Sequence, residues 1–216
     1  MAMRLVLFGA PGSGKGTQSE FLKFHYGVPH ISTGEMFREA IQNNTSLGNR
    51  TKKFINAGEL VPDEVVIALV LEKLSRKECT RGFLLDGFPR TTKQAMMLNM
   101  NLEMLKSPLS AVLSFEVPYD VLIERLSGRR LCPICATVYH LNDLITSSQI
   151  CKADGAALVQ RKDDYEKIVR VRLLAFKKQS LPLKEFYNNK NLLLQIDGSK
   201  LIREVYREID AKLAVV

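Results

Sequence analysis

The chain has 216 residues, 46% of them hydrophobic and 25% charged. That length accommodates one well-buried core with a small insertion or two, and excludes several full domains. A formal net charge of +8 suits a basic surface, a nucleic-acid partner or a pocket that neutralises small polyphosphates. The absence of any run of five or more basic residues argues against nucleic acid. No apolar stretch approaches the length needed to span a bilayer, so no membrane partner is expected.

Met1–Ala10 carries one basic residue, contains the apolar run MRLVLF and passes straight into a glycine motif. It lacks cleavage-site grammar and is read as a first, buried parallel strand, with the cytoplasm as the expected location. A helix is expected from Lys15. Ser32, three residues before Glu35, opens a second by a capping-box pattern over Thr33–Asn43. Further helices are predicted over Leu47–Ala57, which ends at Gly58, over Asp63–Ser75, and over Tyr119–Ser127. GFLLDG at 82–87 and AVLSFEV at 111–117 read as strands. From Arg130 to about Arg161 helical periodicity is lost and Ser, Asn, Asp, Gly and Cys accumulate, marking an inserted module. Helix returns from Asp164 to Phe186, followed by a strand at 192–197 and a helix at Lys200–Leu213. Strands alternating with helices predict an α/β fold, a parallel sheet covered on both faces.

GAPGSGKGT, residues 9–17, fits the phosphate-binding pattern G-x-x-x-x-G-K-[ST] between a strand and a helix. Its glycines let backbone N–H groups turn toward phosphate oxygens, and the helix N-terminus adds partial positive charge. Gly12, Ser13, Gly14, Lys15, Gly16 and Thr17 are the candidate nucleotide-phosphate residues, with Lys15 on the β- and γ-phosphates and Thr17 on magnesium; the loop alone does not name the nucleotide. Asp86 ends a predicted strand, where open α/β sheets place their sites, and can hold a magnesium-bound water. Arg90 carries a planar fork that matches phosphate.

Four cysteines occur. Cys79 stands alone and reads as a buried spectator. Cys132 and Cys135 form C-x-x-C; after fifteen intervening residues come Cys151, two more residues and Asp154. That is the two-knuckle spacing of a structural zinc site. His140 is the competing fourth ligand, ranked second because Asp154 completes the second knuckle.

GAPGSGKGT, HISTGEMFR, ELVPDE, FLLDGFPRT, GRR, and RKDD followed by VRVRL resemble the successive signatures of the adenylate kinases, in the family's order along nearly the whole chain. The inserted module resembles the long, bacterial-type form, some of whose members carry the same three cysteines and one aspartate. The resemblance implies a nucleoside monophosphate kinase fold with a five-stranded parallel sheet. It implies a core of residues 1–31, 62–128 and 162–216, an AMP-binding flap of 32–61 and a lid of 129–161. The implied reaction moves the γ-phosphoryl of magnesium-ATP onto AMP to give two ADP, performed by a monomer.

The family's AMP contacts fall on Thr33, Arg38, Gly87, Phe88, Pro89, Arg90 and Gln94, with Glu59, Leu60 and Val61 facing the adenine. Arg129 matches an ATP-phosphate arginine, Val138 and Tyr139 lid residues beside the ATP adenine, and Lys200 a backbone contact to that base. Arg161 and Arg172 match the clamp on the AMP side and the moving phosphoryl, and Arg125 a further phosphate arginine. Asp163 and Asp164 resemble the acidic pair that meets these arginines. Phosphoryl transfer asks for in-line positioning and cations over the equatorial oxygens, and little from general bases. Lys15, Asp86 and the arginines at 90, 125, 129, 161 and 172 are therefore the candidate catalytic set.

Two departures stand out. Glu35 replaces a common aspartate and is expected to cap its helix equally well. Residues 141–148 lack the Asn-Pro-Pro pattern of long lids, which bears on lid stiffness. None of the histidines at 25, 30 and 140 has a partner implying base catalysis. Rival readings are a UMP/CMP kinase or one using GTP as donor, a zinc-ribbon nucleic-acid binder with an NTPase loop, and a pseudokinase. The second lacks aromatics interleaved with basic residues; intact Lys15, Arg90 and Arg161 oppose the third.

Overall fold

The computed structural model describes residues 2–143 and 149–215. Most of the stretch in which the Asn-Pro-Pro pattern is missing, 144–148, lies outside the described residues. In chain order the elements are β1 (Met3–Gly9), α1 (Lys15–Tyr26), β2 (His30–Ser32), α2 (Thr33–Gln42), α3 (Ser46–Ala57) and α4 (Asp63–Leu74). β3 (Gly82–Asp86), α5 (Thr92–Met104), β4 (Ala111–Glu116) and α6 (Tyr119–Ser127) follow. β5 (Arg129–Leu131), β6 (Val138–His140), α7 (Glu166–Asn188), β7 (Leu193–Asp197) and α8 (Ile202–Leu213) complete the chain.

Five strands form one parallel sheet in the order β2-β3-β1-β4-β7. Alternate side chains of a strand point to opposite faces, and the two clusters follow that period. Val6, Phe8, Phe83, Leu85 and Val112 face α4, α5 and α7, packing with Val66, Val70, Leu98, Leu102, Leu183 and Tyr187. Leu5, Leu7, Leu84, Leu113 and Ile196 face α1 and α8, packing with Leu22, Val205 and Ile209. Each such fully buried side chain contributes roughly 1.5–3 kcal/mol. Because both faces are covered, β1, β3 and β4 are predominantly apolar runs, and this made them legible from sequence.

The inserted segment forms an antiparallel pair, β5 with β6, extended by bridges Leu131–Val159 and Ile150–Ala157. Its own apolar cluster is small: Cys132, Cys151 and Leu158, with Tyr139 and Ala156 against them. Among the described residues no helix is long and apolar enough to cross a membrane.

Some elements differ from expectation. β2 and α5 were not anticipated. β2 has three residues and pairs only with β3, too short to show alternation. α5 exposes Met96, Met100 and Met104, so its solvent face is as apolar as its buried one and no stripe stands out. Residues 162–164 form a 3-10 turn, so α7 starts two residues later than expected, and α8 likewise begins at Ile202 because Leu201 is its N-cap. At α2 the cap is Ser32, whose Oγ accepts from the Glu35 N–H at 3.4 Å; no return bond from the Glu35 side chain occurs among the described residues.

Candidate active site

The loop after β1 wraps the N-terminus of α1. Gly12 and Gly14 have φ of +83° and +92°, a left-handed conformation that side chains with a Cβ avoid. A Cβ on Gly12 would also come within 2.8 Å of Leu126 Cγ. Lys15 reaches back across this loop, its Nζ donating to the Gly9 carbonyl at 2.8 Å and to that of Ala10 at 2.9 Å. Loss of water, against the opposing pull of Asp86 and with help from Arg90, Arg172 and Arg129, brings the Lys15 ammonium down to about 8. These groups, from four separate segments, therefore share one electrostatic neighbourhood.

Asp86 stands at the C-terminal end of β3, in register with Leu7 of β1 and Ser32 of β2. His30 Nε2 lies 3.7 Å from its Oδ2. Burial works to raise the Asp86 carboxyl, and the neighbouring His30 and Lys15 overcome it, holding it below its ordinary value. On the other ring nitrogen, Ser19 Oγ lies 3.5 Å from His30 Nδ1. His30 was read as structural, and its pairing with Asp86 was not foreseen, because the short strand that sets it beside β3 carries no sequence signal.

On the side of β2 and β3, Thr33 Oγ1 donates to the Gly87 carbonyl at 2.9 Å, and Arg90 Nε to the same oxygen at 2.7 Å. The Phe88–Pro89 bond is cis. Gln94 is buried. Its Oε1 accepts from Arg90 N at 2.7 Å and its Nε2 donates to Asp63 Oδ1 at 2.6 Å, so the orientation of the amide is set. Asp63, read only as a helix start, also accepts from Thr91 Oγ1 at 3.2 Å.

The third group is an ion cage. Asp164 has no exposed surface and Asp163 is buried. Arg129 grips Asp164 with Nε at 2.7 Å from Oδ2 and Nη2 on Oδ1. Arg161 grips Asp163 with bonds of 3.2 and 3.1 Å. Arg172 bridges both, 3.1 Å from Asp163 Oδ2 and 3.3 Å from Asp164 Oδ1. Burial opposes ionisation of Asp163, and Arg172 and Arg161 win, holding it near 2. Burial brings the Arg172 and Arg38 guanidiniums to about 10, with Asp163 resisting at both and Arg161 adding to the fall at Arg38. Arg38, on α2, thus faces the cage.

The remaining predicted residues stand outside the acid cage. Arg125 donates to the Gly198 carbonyl at 2.8 Å and braces the loop after β7, next to Lys200, whose Nζ bonds Glu208 at 2.9 Å. Val138 is exposed, and the Tyr139 hydroxyl lies 3.3 Å from Cys151 Sγ. Glu59 is exposed just after α3, while Val61 is buried.

The candidate metal ligands do meet. The donor atoms of Cys132, Cys135, Cys151 and Asp154 all lie within 4.8 Å of one another. Backbone N–H groups of Ile134 and Cys135 point at Cys132 Sγ, each at 3.4 Å, and that of Ala153 at Cys151 Sγ at 3.4 Å. The Ala156 N–H, with help from the Cys132 thiol, holds the Asp154 carboxyl at about 2. His140 is turned away: its Nε2 is 3.2 Å from the Glu124 carbonyl and its Nδ1 accepts from Asn142 N. Three sulfurs and one carboxylate in this span suit a four-coordinate metal ion.

A phosphate-binding loop at the carboxyl end of the central strand of a parallel sheet, with a carboxylate and arginines acting on its lysine, defines a P-loop phosphotransferase. A family model described as Adenylate kinase matches residues 7–192. The chain is 50% identical over 209 residues, 96% of each chain, to a protein named Adenylate kinase from Bacillus subtilis. It is 44% identical over 215 residues to one of the same name from Clostridium tetani, covering 99% of this chain and all of that one. This chain belongs to the adenylate kinase family.

Proposed function

We infer how this kinase moves the γ-phosphoryl of magnesium-ATP onto AMP. The observation that carries the reading is that Asp86, Arg90, Arg129 and Arg172 all act on the charge of the phosphate-loop Lys15. The loop N–H groups and Lys15 would take the β- and γ-phosphates, with Lys15 exchanging its carbonyl partners for phosphate oxygens. Thr17 and Asp86 would hold magnesium, which supplies charge neutralisation between the phosphates when bound. Thr33, Arg38, Gly87, Phe88, Pro89, Arg90 and Gln94 would hold AMP, with Glu59, Leu60 and Val61 along the base. Gln94 suits an adenine edge because Arg90 and Asp63 pin its amide. Arg161 and Arg172 would spread positive charge over the moving group, and Arg129 would serve the ATP phosphates. Arg125 and Lys200 would support the donor from the loop after β7, and Val138 and Tyr139 would lie beside its base.

Segments 32–61 and 129–161 would move as flap and lid over the remaining core. Closure over both substrates excludes water, which would otherwise accept the phosphoryl group. Purified protein given magnesium-ATP and each monophosphate separately is expected to make ADP with AMP far faster than with UMP, CMP or GMP. Equal turnover of UMP and AMP would overturn the acceptor assignment.

The second cofactor is structural zinc in the lid. Four protein ligands leave no open position, so the ion serves folding and not chemistry. The lid has almost no apolar core of its own, which gives the metal that task. Cys151→Ser is expected to abolish stoichiometric zinc and lower the melting temperature, with activity well below that temperature largely kept. Elemental analysis finding no metal in wild-type protein purified without chelator would refute the site, and a fully stable but inactive variant would refute the structural role.

A further inference from the structure

We propose that the lid cluster also acts as a peroxide-sensitive release site for its metal, with Cys135 as the thiol attacked and Cys151 as its disulfide partner. The proposal rests on the zinc reading above and adds a reactivity to it.

Three observations support it. Of the three cysteines, Cys135 is exposed while Cys132 and Cys151 are buried. Cys135 Sγ lies 3.5 Å from Cys151 Sγ, and a disulfide requires them to close to about 2.05 Å, a shift that side-chain rotation in a small two-knuckle module can supply. The sulfurs are also held unequally. Backbone N–H groups draw electron density from Cys132 and Cys151, and the Tyr139 hydroxyl sits against Cys151 as well. Among the described residues no backbone N–H points at Cys135 Sγ, whose recorded partners are Thr137 Oγ1 at 3.1 Å and Cys151. The accessible sulfur is thus also the one whose electron pairs are least engaged by backbone donors, and exposure decides which sulfur a dissolved oxidant reaches first.

The chemistry balances with hydrogen peroxide as oxidant. The Cys135 thiolate attacks one peroxide oxygen; an S–O bond forms, the O–O bond breaks and hydroxide leaves, giving a sulfenic acid. The Cys151 thiolate then attacks that sulfur; the S–S bond forms, the S–O bond breaks and a second hydroxide leaves. Two thiolates lose two electrons and one peroxide gains them. The metal keeps only Cys132 and Asp154 of its four donors and departs. The module then loses the ion that organises it, so the donor side of the cleft loosens with it: Leu131 of β5, two residues after Arg129, pairs with Val159 across the same insertion.

The test uses the full chain, purified reduced and without chelator. Elemental analysis first gives the zinc content. Peroxide is then titrated in while a chromogenic chelator follows free zinc, and digests are mapped by mass spectrometry. The expected result is one zinc released per disulfide, the bond mapping to Cys135–Cys151, a fall in melting temperature, and recovery of all three on adding dithiothreitol and zinc. Cys79→Ser, a buried residue outside the cluster, should give the same trace. Exposed methionines provide an internal clock: Met104 is 76% exposed, and release must precede its conversion to sulfoxide. No zinc at the outset overturns the metal reading and the switch together. Zinc that stays bound until Met104 is oxidised overturns the switch alone. A disulfide between Cys132 and Cys135 overturns the assignment of Cys151 as partner.

Discussion

Replacing Arg90 with alanine is expected to lower kcat/KM by two or more orders of magnitude, a loss of roughly 3 kcal/mol or more in transition-state stabilisation. Arg90 is held from two sides: its backbone N–H bonds Gln94 and its Nε bonds the Gly87 carbonyl. The rest of its fork is left for a ligand. In the transition state charge is spread over the equatorial oxygens of the moving group, and a planar donor placed in advance serves that state better than the ground state. The fold should tolerate the change, since the truncated contact is one hydrogen bond from an exposed side chain, worth about 1 kcal/mol. Arg90→Lys keeps the charge but not the fork and should recover only part of the activity. Steady-state kinetics on variants with wild-type melting curves decide it; near-normal activity in folded Arg90→Ala would remove Arg90 from the catalytic set.

The second large effect is on stability. Asp164→Asn is expected to destabilise the chain by about 3 kcal/mol or more, because it removes one partner from a buried ion cluster while leaving the others in place. For a chain of this size that corresponds to roughly 6–12 °C in melting temperature. Asparagine fills nearly the same space, so the effect isolates charge from packing. Arg129 and Arg172 both hold Asp164, and Arg161 lies 4.0 Å away; without it only Asp163 opposes three guanidiniums. A melting temperature within 2 °C of wild type, an interval of about 1 kcal/mol or less, would show that the cage contributes little. Acid should act on the same cage through Asp163. Its carboxyl is held near 2 in the folded chain, against about 3.9 unfolded. A depressed folded value stabilises fully above the unfolded one, so this contribution is present above about pH 4 and is lost as pH falls toward 2.

The local motifs were legible because each is enforced by neighbours in sequence. Residues 9–17 must turn around a phosphate between a strand and a helix, and glycine takes the positive φ at Gly12 and Gly14 without the steric cost a Cβ would bring. β1, β3 and β4 are covered on both faces and so are predominantly apolar. The spacing of Cys132, Cys135, Cys151 and Asp154 is two tight knuckles, and it singled out the four donors that the fold brings together. α5 and β2 were not legible, since one hides its stripe behind exposed methionines and the other is only three residues long.

By itself, then, the sequence determined the parallel α/β frame, the phosphate loop, the family and the four-donor cluster, all of them patterns that repeat or close over short distances. Tertiary structure decided how side chains far apart in the chain pair. It set His30 beside Asp86, made Asp63 the anchor of Gln94, and divided the arginines between an acid cage at Asp163 and Asp164 and a brace on the loop after β7. It turned His140 toward Glu124 and left Asp154 with the sulfurs. No periodicity encodes such choices. A long, flexible, charged side chain is compatible with many partners, and burial in the assembled fold selects among them by leaving unpaired charge too costly to keep.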